Sequence, residues 1–147
     1  MKKNHKFLVY TDGGAISNPG PSAGAFLICD AEGKILKEYK EDFGEGTNNE
    51  AEYKAVILAL KKIKALVGKK NIKDIEVEIR SDSKLLVEQL NGKYKVLNPR
   101  IQNLFLKLWN LKIGFGKVVF KSIRREENKR ADALVKEVLF EPKRKLF

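Results

Sequence analysis

The stretch Phe7-Leu8-Val9-Tyr10-Thr11-Asp12-Gly13-Gly14 narrows the choice of fold more than any other part of the chain. Its apolar run has the aromatic and β-branched content of a short buried strand. The run ends on a carboxylate, and two glycines follow. An acid delivered to the end of a strand, next to residues without side chains, lets the backbone approach a ligand closely. Asp-Gly is also an ordinary turn pair, and taken alone a turn is the simpler reading. A Gly/Pro-rich loop containing Asn18-Pro19-Gly20-Pro21 comes next.

Ala23 to Asp30 reads as a second strand and Lys34 to Phe43 as a third, joined by the turn signal Asp30-Ala31-Glu32-Gly33. Ile35, Tyr39 and Phe43 share a parity, which predicts one buried face. The two strands form an expected hairpin beside the first. Thr47 or Asn48 then caps a helix from about Asn49 to Val67. Tyr53, Val56, Ile57, Leu60, Ile63 and Val67 fall on one face of it, and Ala51, Ala55, Leu58 and Ala59 make the other side apolar too, which predicts burial on more than one side. Glu52 stands out near the first turn, where a helix-dipole acid is ordinary. Ile75, Val77 and Ile79 alternate with Glu76, Glu78 and Arg80, the pattern of a half-buried strand. That strand ends at Ser81-Asp82-Ser83, and Asp82 has a default use as the N-cap of a helix running to Leu90. Pro99 sits near the start of a helix to about Lys112, Lys117 to Ile123 reads as a fifth strand, and a last helix spans about Arg130 to Phe140. Asp132 lies in its first turn.

The 147 residues suffice for one domain with a real core. Neither a repeat nor a linker interrupts residues 1–147, and the basic ends, 1–6 and 141–147, are expected to be mobile. Thirty Lys and Arg against 19 Asp and Glu give a formal net charge of +11, which favours polyanions, nucleic acid first and an anionic membrane surface second. Cys29 is the single cysteine, which excludes an intramolecular disulfide and a thiolate metal cluster. No run approaches a membrane span or a signal peptide. A cytoplasmic, monomeric protein without membrane or protein partners is the expectation.

Asp12, Glu52 and Asp82 thus sit at the end of strand one, in a helix's first turn and at the end of strand four. A right-handed crossover through the long helix sets strand four beside strand one, and such sheets place ligands outside the strands' carboxyl ends. Asp132, opening a helix after the fifth strand, reaches the same edge. Clustered carboxylates repel, so they take a cation or hold protons abnormally. Oxygen ligands without thiolate or imidazole fit Mg²⁺ or Mn²⁺, and two such ions can serve phosphodiester hydrolysis.

With these motifs the sequence resembles a type 1 ribonuclease H. The resemblance is carried by Tyr10-Thr11-Asp12-Gly13-Gly14 with Asn18-Pro19-Gly20-Pro21, by Thr47-Asn48-Asn49-Glu50-Ala51-Glu52, by Ser81-Asp82-Ser83 and by Arg125-Glu126-Glu127-Asn128-Lys129-Arg130-Ala131-Asp132. It runs from about Phe7 to Leu139, with all four motifs in order. It implies an α/β ribonuclease H-like fold: a five-stranded mixed sheet flanked by helices, strands one to three antiparallel, strands four and five parallel to the first. It implies Asp12, Glu52, Asp82 and Asp132 as catalytic, metal-binding acids for two Mg²⁺ or Mn²⁺ ions. The implied reaction is internal cleavage of the RNA strand of an RNA–DNA hybrid, leaving 5′-phosphate and 3′-hydroxyl ends. Gly13, Gly14 and Glu52 then meet ribose 2′-hydroxyls, the groups that distinguish RNA from DNA. Asn18, Asn48 and Asn49 match polar residues near the minor groove, and Thr47 matches one that holds a DNA-strand phosphate.

The sequence departs from the family twice. Many members carry a histidine in the loop before the last acid; here the single histidine is His5, so proton handling falls to water, a metal-bound group or another side chain, with Arg124, Arg125 and Glu127 as candidates. Some members also insert a basic helix after the third acid, for which Lys84 to Gly116 leaves no room. Hybrid affinity then falls to other cations, among them Lys93, Lys95 and the lysines after the long helix. Two other classes stay open: a non-catalytic nucleic-acid-binding module on the same fold, and a DNA-acting nuclease or integrase-type relative. Retention of four mutually repelling acids speaks against the first, and the Thr47–Asn49 segment with the glycines after Asp12 against the second.

Overall fold

The computed structural model describes residues 5–141; residues 1–4 and 142–147, which include most of the two ends expected to be mobile, lie outside the described residues. The elements are β1 (His5–Ala15), β2 (Gly20–Cys29), β3 (Ile35–Gly46), α1 (Asn48–Val67), β4 (Ile75–Ser81), α2 (Lys84–Leu90), α3 (Pro99–Ile113), β5 (Lys117–Ser122) and α4 (Lys129–Phe140). They build one mixed sheet in the order β3-β2-β1-β4-β5. β2 is antiparallel to β1 and to β3, whereas β4 is parallel to β1 and β5 to β4, the arrangement expected.

β1 differs from its sequence reading in length. It takes in His5 and Lys6 at one end and runs through Asp12-Gly13-Gly14 at the other. Cross-strand pairing explains the second extension: Asp12, Gly13 and Gly14 face Ala25, Gly24 and Ala23 of β2. The turn falls later, closed where the Ile16 N–H donates to the Pro21 carbonyl at 2.9 Å. The local turn propensity of Asp-Gly is overruled by a ladder it cannot anticipate.

Two other expectations are corrected. β3 is an edge strand, and Ile35 lies 47% exposed; only Tyr39, stacked on Phe26 at 4.9 Å between ring centres, and Phe43 are partly covered. β4 is not half-exposed, because Glu78 is buried. Its carboxylate is held by Arg80 at 2.7 Å, Lys121 at 3.3 Å and Lys6 at 3.5 Å. Burial pushes the Glu78 carboxyl up, but Arg80 and, after it, Lys121 hold it below the usual range.

The core divides by sheet face. On one side, Val9, Phe26, Ile28, Val77 and Ile79 pack with Tyr53, Val56, Leu60 and Ile63 of α1, with Leu86 and Leu90 of α2 and with Ile101 and Leu108 of α3. α1 is wedged between the sheet and α3, which is why it is apolar nearly all round. On the other side, Leu8, Ala23, Ala25, Leu27 and the buried Cys29 meet Leu134 and Val135 of α4. Charge supplements that smaller contact: Arg130 donates twice to Glu38, at 2.7 and 2.8 Å, and Lys40 donates to Glu137 at 2.7 Å.

Candidate active site

Pairing between β1 and β4 ends at Thr11 with Ser81, so Asp12, still paired with β2, and Asp82 stand side by side where the two strands part. Asp82 does not cap α2, contrary to its default reading. Ser83 takes that role, its Oγ accepting from the Leu86 N–H at 3.2 Å. The dipole reading of Glu52 also gives way, since Glu50 is the first-turn acid of α1. Glu50 completes a capping box with Thr47: the Glu50 N–H donates to Thr47 Oγ1 at 3.1 Å and the Thr47 N–H to Glu50 Oε1 at 3.2 Å. This settles the N-cap on Thr47 and leaves Glu52 one turn deeper, with no capping role.

Gly13 brings Glu52 to Asp12. A Cβ on Gly13 would stand 2.5 Å from the Ala51 carbonyl carbon and 2.6 Å from the Glu52 nitrogen, so α1 lies directly on the β1 backbone there. The close approach gathers one oxygen each from Asp12, Glu52 and Asp82 within 4.8 Å of one another. Asp132 lines the same cleft from α4, outside that tight group. Its Oδ2 lies 3.0 Å from Lys136 Nζ.

The site is electrostatically strained. Burial, then the charges of Asp82 and Asp132, push the Asp12 carboxyl up to about 7, against a smaller lowering by the Gly13 N–H. Burial raises Glu52 well above the carboxylate range, with Asp12 and Asp82 adding to it and Arg125 opposing. Glu52 Oε1 is buried without a hydrogen-bond partner. A divalent cation suits this donor set: three convergent carboxylate oxygens beside the unpartnered Glu52 Oε1, with no nitrogen or sulfur ligand among them.

The cleft has a volume of about 580 Å³, and Gly13, Gly14, Ala15, Asn48, Ser83, Arg125, Val135, Lys136, Leu139 and Phe140 complete its lining. Gly14 keeps it open, since a Cβ there would meet nothing closer than Val135 at 3.7 Å. Beside it lies a hollow of about 330 Å³ lined by Asn18, Thr47, Asn48, Asn49, Glu52, Ser83 and Leu85. The Asn48 N–H donates to Asn18 Oδ1 at 2.9 Å, and the Ala15 N–H to Asn48 Oδ1 at 2.7 Å. Asn49 Oδ1 is buried and unpartnered.

His5 opens β1, at the opposite end of the strand from Asp12, so no imidazole among the described residues reaches the acids. Of the three substitutes, Arg125 alone lines the cleft. Arg124 and Glu127 are exposed and paired with each other, Glu127 Oε1 accepting from the Arg124 N–H at 3.1 Å. A guanidinium is a planar cation that donates and does not accept hydrogen bonds, so Arg125 supplies charge and not a base. Sequence reasoning missed Lys136, Leu139 and Phe140 as lining residues; helical spacing from Asp132 was the available signal. It also missed Asn128, which donates to Asp82 from a buried position.

A mixed sheet in this order, with carboxylates converging where β1 and β4 part, defines a protein of the ribonuclease H-like class. Comparison with known proteins agrees. Residues 10–138 match the family model described as reverse transcriptase-like. The chain is 33% identical to ribonuclease HI of Halobacterium salinarum over 88% of its own length and 62% of that protein's. It is 31% identical to a bifunctional protein of Mycobacterium tuberculosis, of which it spans 35%. Among solved structures, LC11-RNase H1 in complex with an RNA/DNA hybrid superposes with a TM-score of 0.84 at 44% identity, over 89% of this chain and 94% of that one. The chain belongs to the reverse transcriptase-like family, and its relatives place it with the type 1 ribonucleases H.

Proposed function

We propose that this chain is a single ribonuclease H domain over residues 1–147, an endoribonuclease that hydrolyses the RNA strand of RNA–DNA hybrids and leaves 5′-phosphate and 3′-hydroxyl ends. The observation that carries the reading is the convergence of Asp12, Glu52 and Asp82 oxygens within 4.8 Å, with Glu52 Oε1 buried and unpartnered. Asp12, Glu52, Asp82 and Asp132 would hold two Mg²⁺ or Mn²⁺ ions, whose chemistry would be to lower the pKa of a water and to offset charge on the leaving oxygen.

The protein's own part is positioning and charge. Asp12 and Glu52, buried and raised, are high in free energy as anions without a cation, so the site favours the ion-loaded state. Gly14 leaves space for a sugar-phosphate backbone beside Asp12. Gly13, Gly14, Asn18, Thr47, Asn48 and Asn49 form the hybrid-facing surface; the unpartnered Asn49 Oδ1 and Glu52 Oε1 suit donors such as ribose 2′-hydroxyls. Arg125 places a positive charge at the cleft. Thr47 caps α1 whether or not it also meets phosphate.

We further propose that the protein acts as a monomer in the cytoplasm. The lone buried cysteine supports a reducing compartment, and no helix among the described residues is long and apolar enough to cross a membrane. The formal charge of +11 predicts hybrid binding that weakens steeply with salt.

The test is cleavage of an end-labelled RNA–DNA hybrid with Mg²⁺ or Mn²⁺, beside Asp12→Asn and beside DNA and RNA duplexes. Internal cuts confined to the hybrid's RNA strand, with a variant that binds but does not cut, support the reading. Binding without cleavage under either metal makes the protein a binding module, and cleavage of duplex DNA makes it a DNA nuclease.

A further inference from the structure

Asn128 stands at the N-cap position of α4, yet its side chain makes no capping bond. Asparagine is favoured at that position because its side-chain oxygen accepts a free helix N–H. Here the side chain turns inward and lies 2% exposed. Its Nδ2 donates to the Thr11 carbonyl at 2.8 Å and to Asp82 Oδ2 at 3.1 Å. Its main-chain carbonyl accepts from the Asp132 N–H at 3.1 Å. One residue therefore touches the peptide preceding Asp12, the Asp82 carboxylate and the amide of Asp132.

We propose that Asn128 is a positioning residue that fixes the Asp82 carboxylate against Asp12 and sets the entry of Asp132, and thereby governs cation affinity. The inference rests on the metal-dependent hydrolase reading given above. Only a primary amide supplies two protons from one neutral atom in this volume. The orientation is forced: with the amide reversed, Oδ1 would face a carbonyl and a carboxylate. Oδ1 is buried without a partner, so the residue is arranged for its donors and not for both ends of the amide. Asp82 is the least buried of the three gathered acids, and repulsion from Asp12 and Glu52 drives it outward. A bond to one of its oxygens pins the carboxylate plane and opposes that drift. Asn128 is too deeply placed to touch a hybrid, so its effect belongs to cation binding and turnover and not to substrate affinity.

The experiment uses the full chain and compares Asn128→Asp and Asn128→Ala with the unaltered protein. Three quantities are read: Mn²⁺ affinity by titration calorimetry without nucleic acid, kcat and KM on a hybrid, and melting temperature. Partners that orient metal ligands are worth about 10- to 100-fold in affinity or activity, and losses of that size are expected in Mn²⁺ affinity and in kcat. KM for the hybrid is expected to stay within about threefold, since no substrate contact is lost. Asn128→Asp should lose more than Asn128→Ala, because it sets a third acceptor against two. If Asn128→Asp does not fold, Asn128→Ala carries the same readouts. Mn²⁺ affinity within about twofold of the unaltered protein in a folded variant overturns the proposal, whatever the melting temperature does. If the unaltered protein binds Mn²⁺ but cuts no hybrid, the hydrolase reading fails while the effect of Asn128 is still read from the titration.

Discussion

The two faces of the sheet deliver catalytic-type acids by different means. α1 brings Glu52 on a helix sunk into the larger core, whose Tyr53, Val56, Leu60 and Ile63 have essentially no exposed surface. α4 brings Asp132 on a helix resting on a smaller apolar cluster, fastened by Arg130–Glu38 and Lys40–Glu137 at the rim. The first attachment is nondirectional and insensitive to salt; the second has a share that ions screen. Glu52 is accordingly fixed as part of the global fold, whereas Asp132 is held by a helix more able than α1 to open locally.

The contrast can be broken most forcefully in the larger core. Leu60→Ala should cost about 2–5 kcal/mol and lower the stability of the whole chain. Leu134→Ala should sit at the low end of that range, with its loss concentrated in faster amide exchange of α4. Equal, global losses measured by urea unfolding and hydrogen exchange would erase the distinction.

Gly13→Ala tests the seam between β1 and α1. A methyl pressed against the Ala51 carbonyl forces backbone apart, at about 1–3 kcal/mol by the usual cost of overpacking. Turnover should fall further than stability, because Glu52 moves away from Asp12. A variant with near-normal kcat would show that the close approach is dispensable.

Asp12 lies between the two helices, and its titration sharpens the comparison. Its folded pKa of about 7 lies above the ordinary 3.8, so the metal-free folded state retains a proton that the unfolded chain releases. That contribution is fully present below about 4 and is lost as pH rises to about 7, a difference on the order of a few kcal/mol. In a chelator, wild type should lose stability relative to Asp12→Asn across this window, and added Mg²⁺ should narrow the gap. Denaturation midpoints at several pH values decide it; parallel curves would contradict the assigned shift.

The smallest effect is expected at the rim. Arg130→Met should leave the melting temperature almost unchanged, since the pair is solvent-exposed. It should quicken amide exchange within α4 and make turnover less dependent on salt-sensitive fastening. Unchanged exchange would mean that the apolar cluster alone holds α4.

Much of this was legible in the sequence because the informative residues punctuate elements. The acids after strands one and four, the apolar periodicity of Tyr53 to Ile63 and the hairpin signal at Asp30–Gly33 all report local conformation, which sequence reveals. What escaped depends on partners far along the chain. Asp12-Gly13 extends a strand because β2 pairs with it. Ile35 is exposed because nothing lies beyond the edge strand, and Glu78 is buried because Arg80, Lys121 and Lys6 surround it. Ser83 competes successfully with Asp82 for the cap, which frees the acid for the site. Asn128 holds the N-cap position of α4 but ties β1 to Asp82, through partners that lie far back along the chain.

The lacing of the β1–β2 loop to α1 through Asn18, Asn48 and Ala15 bears on the kinetics of recognition. The hollow beside the acids has walls already ordered by bonds internal to the protein. On the proposed hydrolase reading, a hybrid duplex arriving there need not freeze a loop, so little conformational entropy is surrendered on contact. Encounter is then governed by attraction between phosphates and a cationic protein, and association should approach the rate of steered diffusion. Residence time, and not the capture step, becomes the quantity through which substitutions in this hollow act.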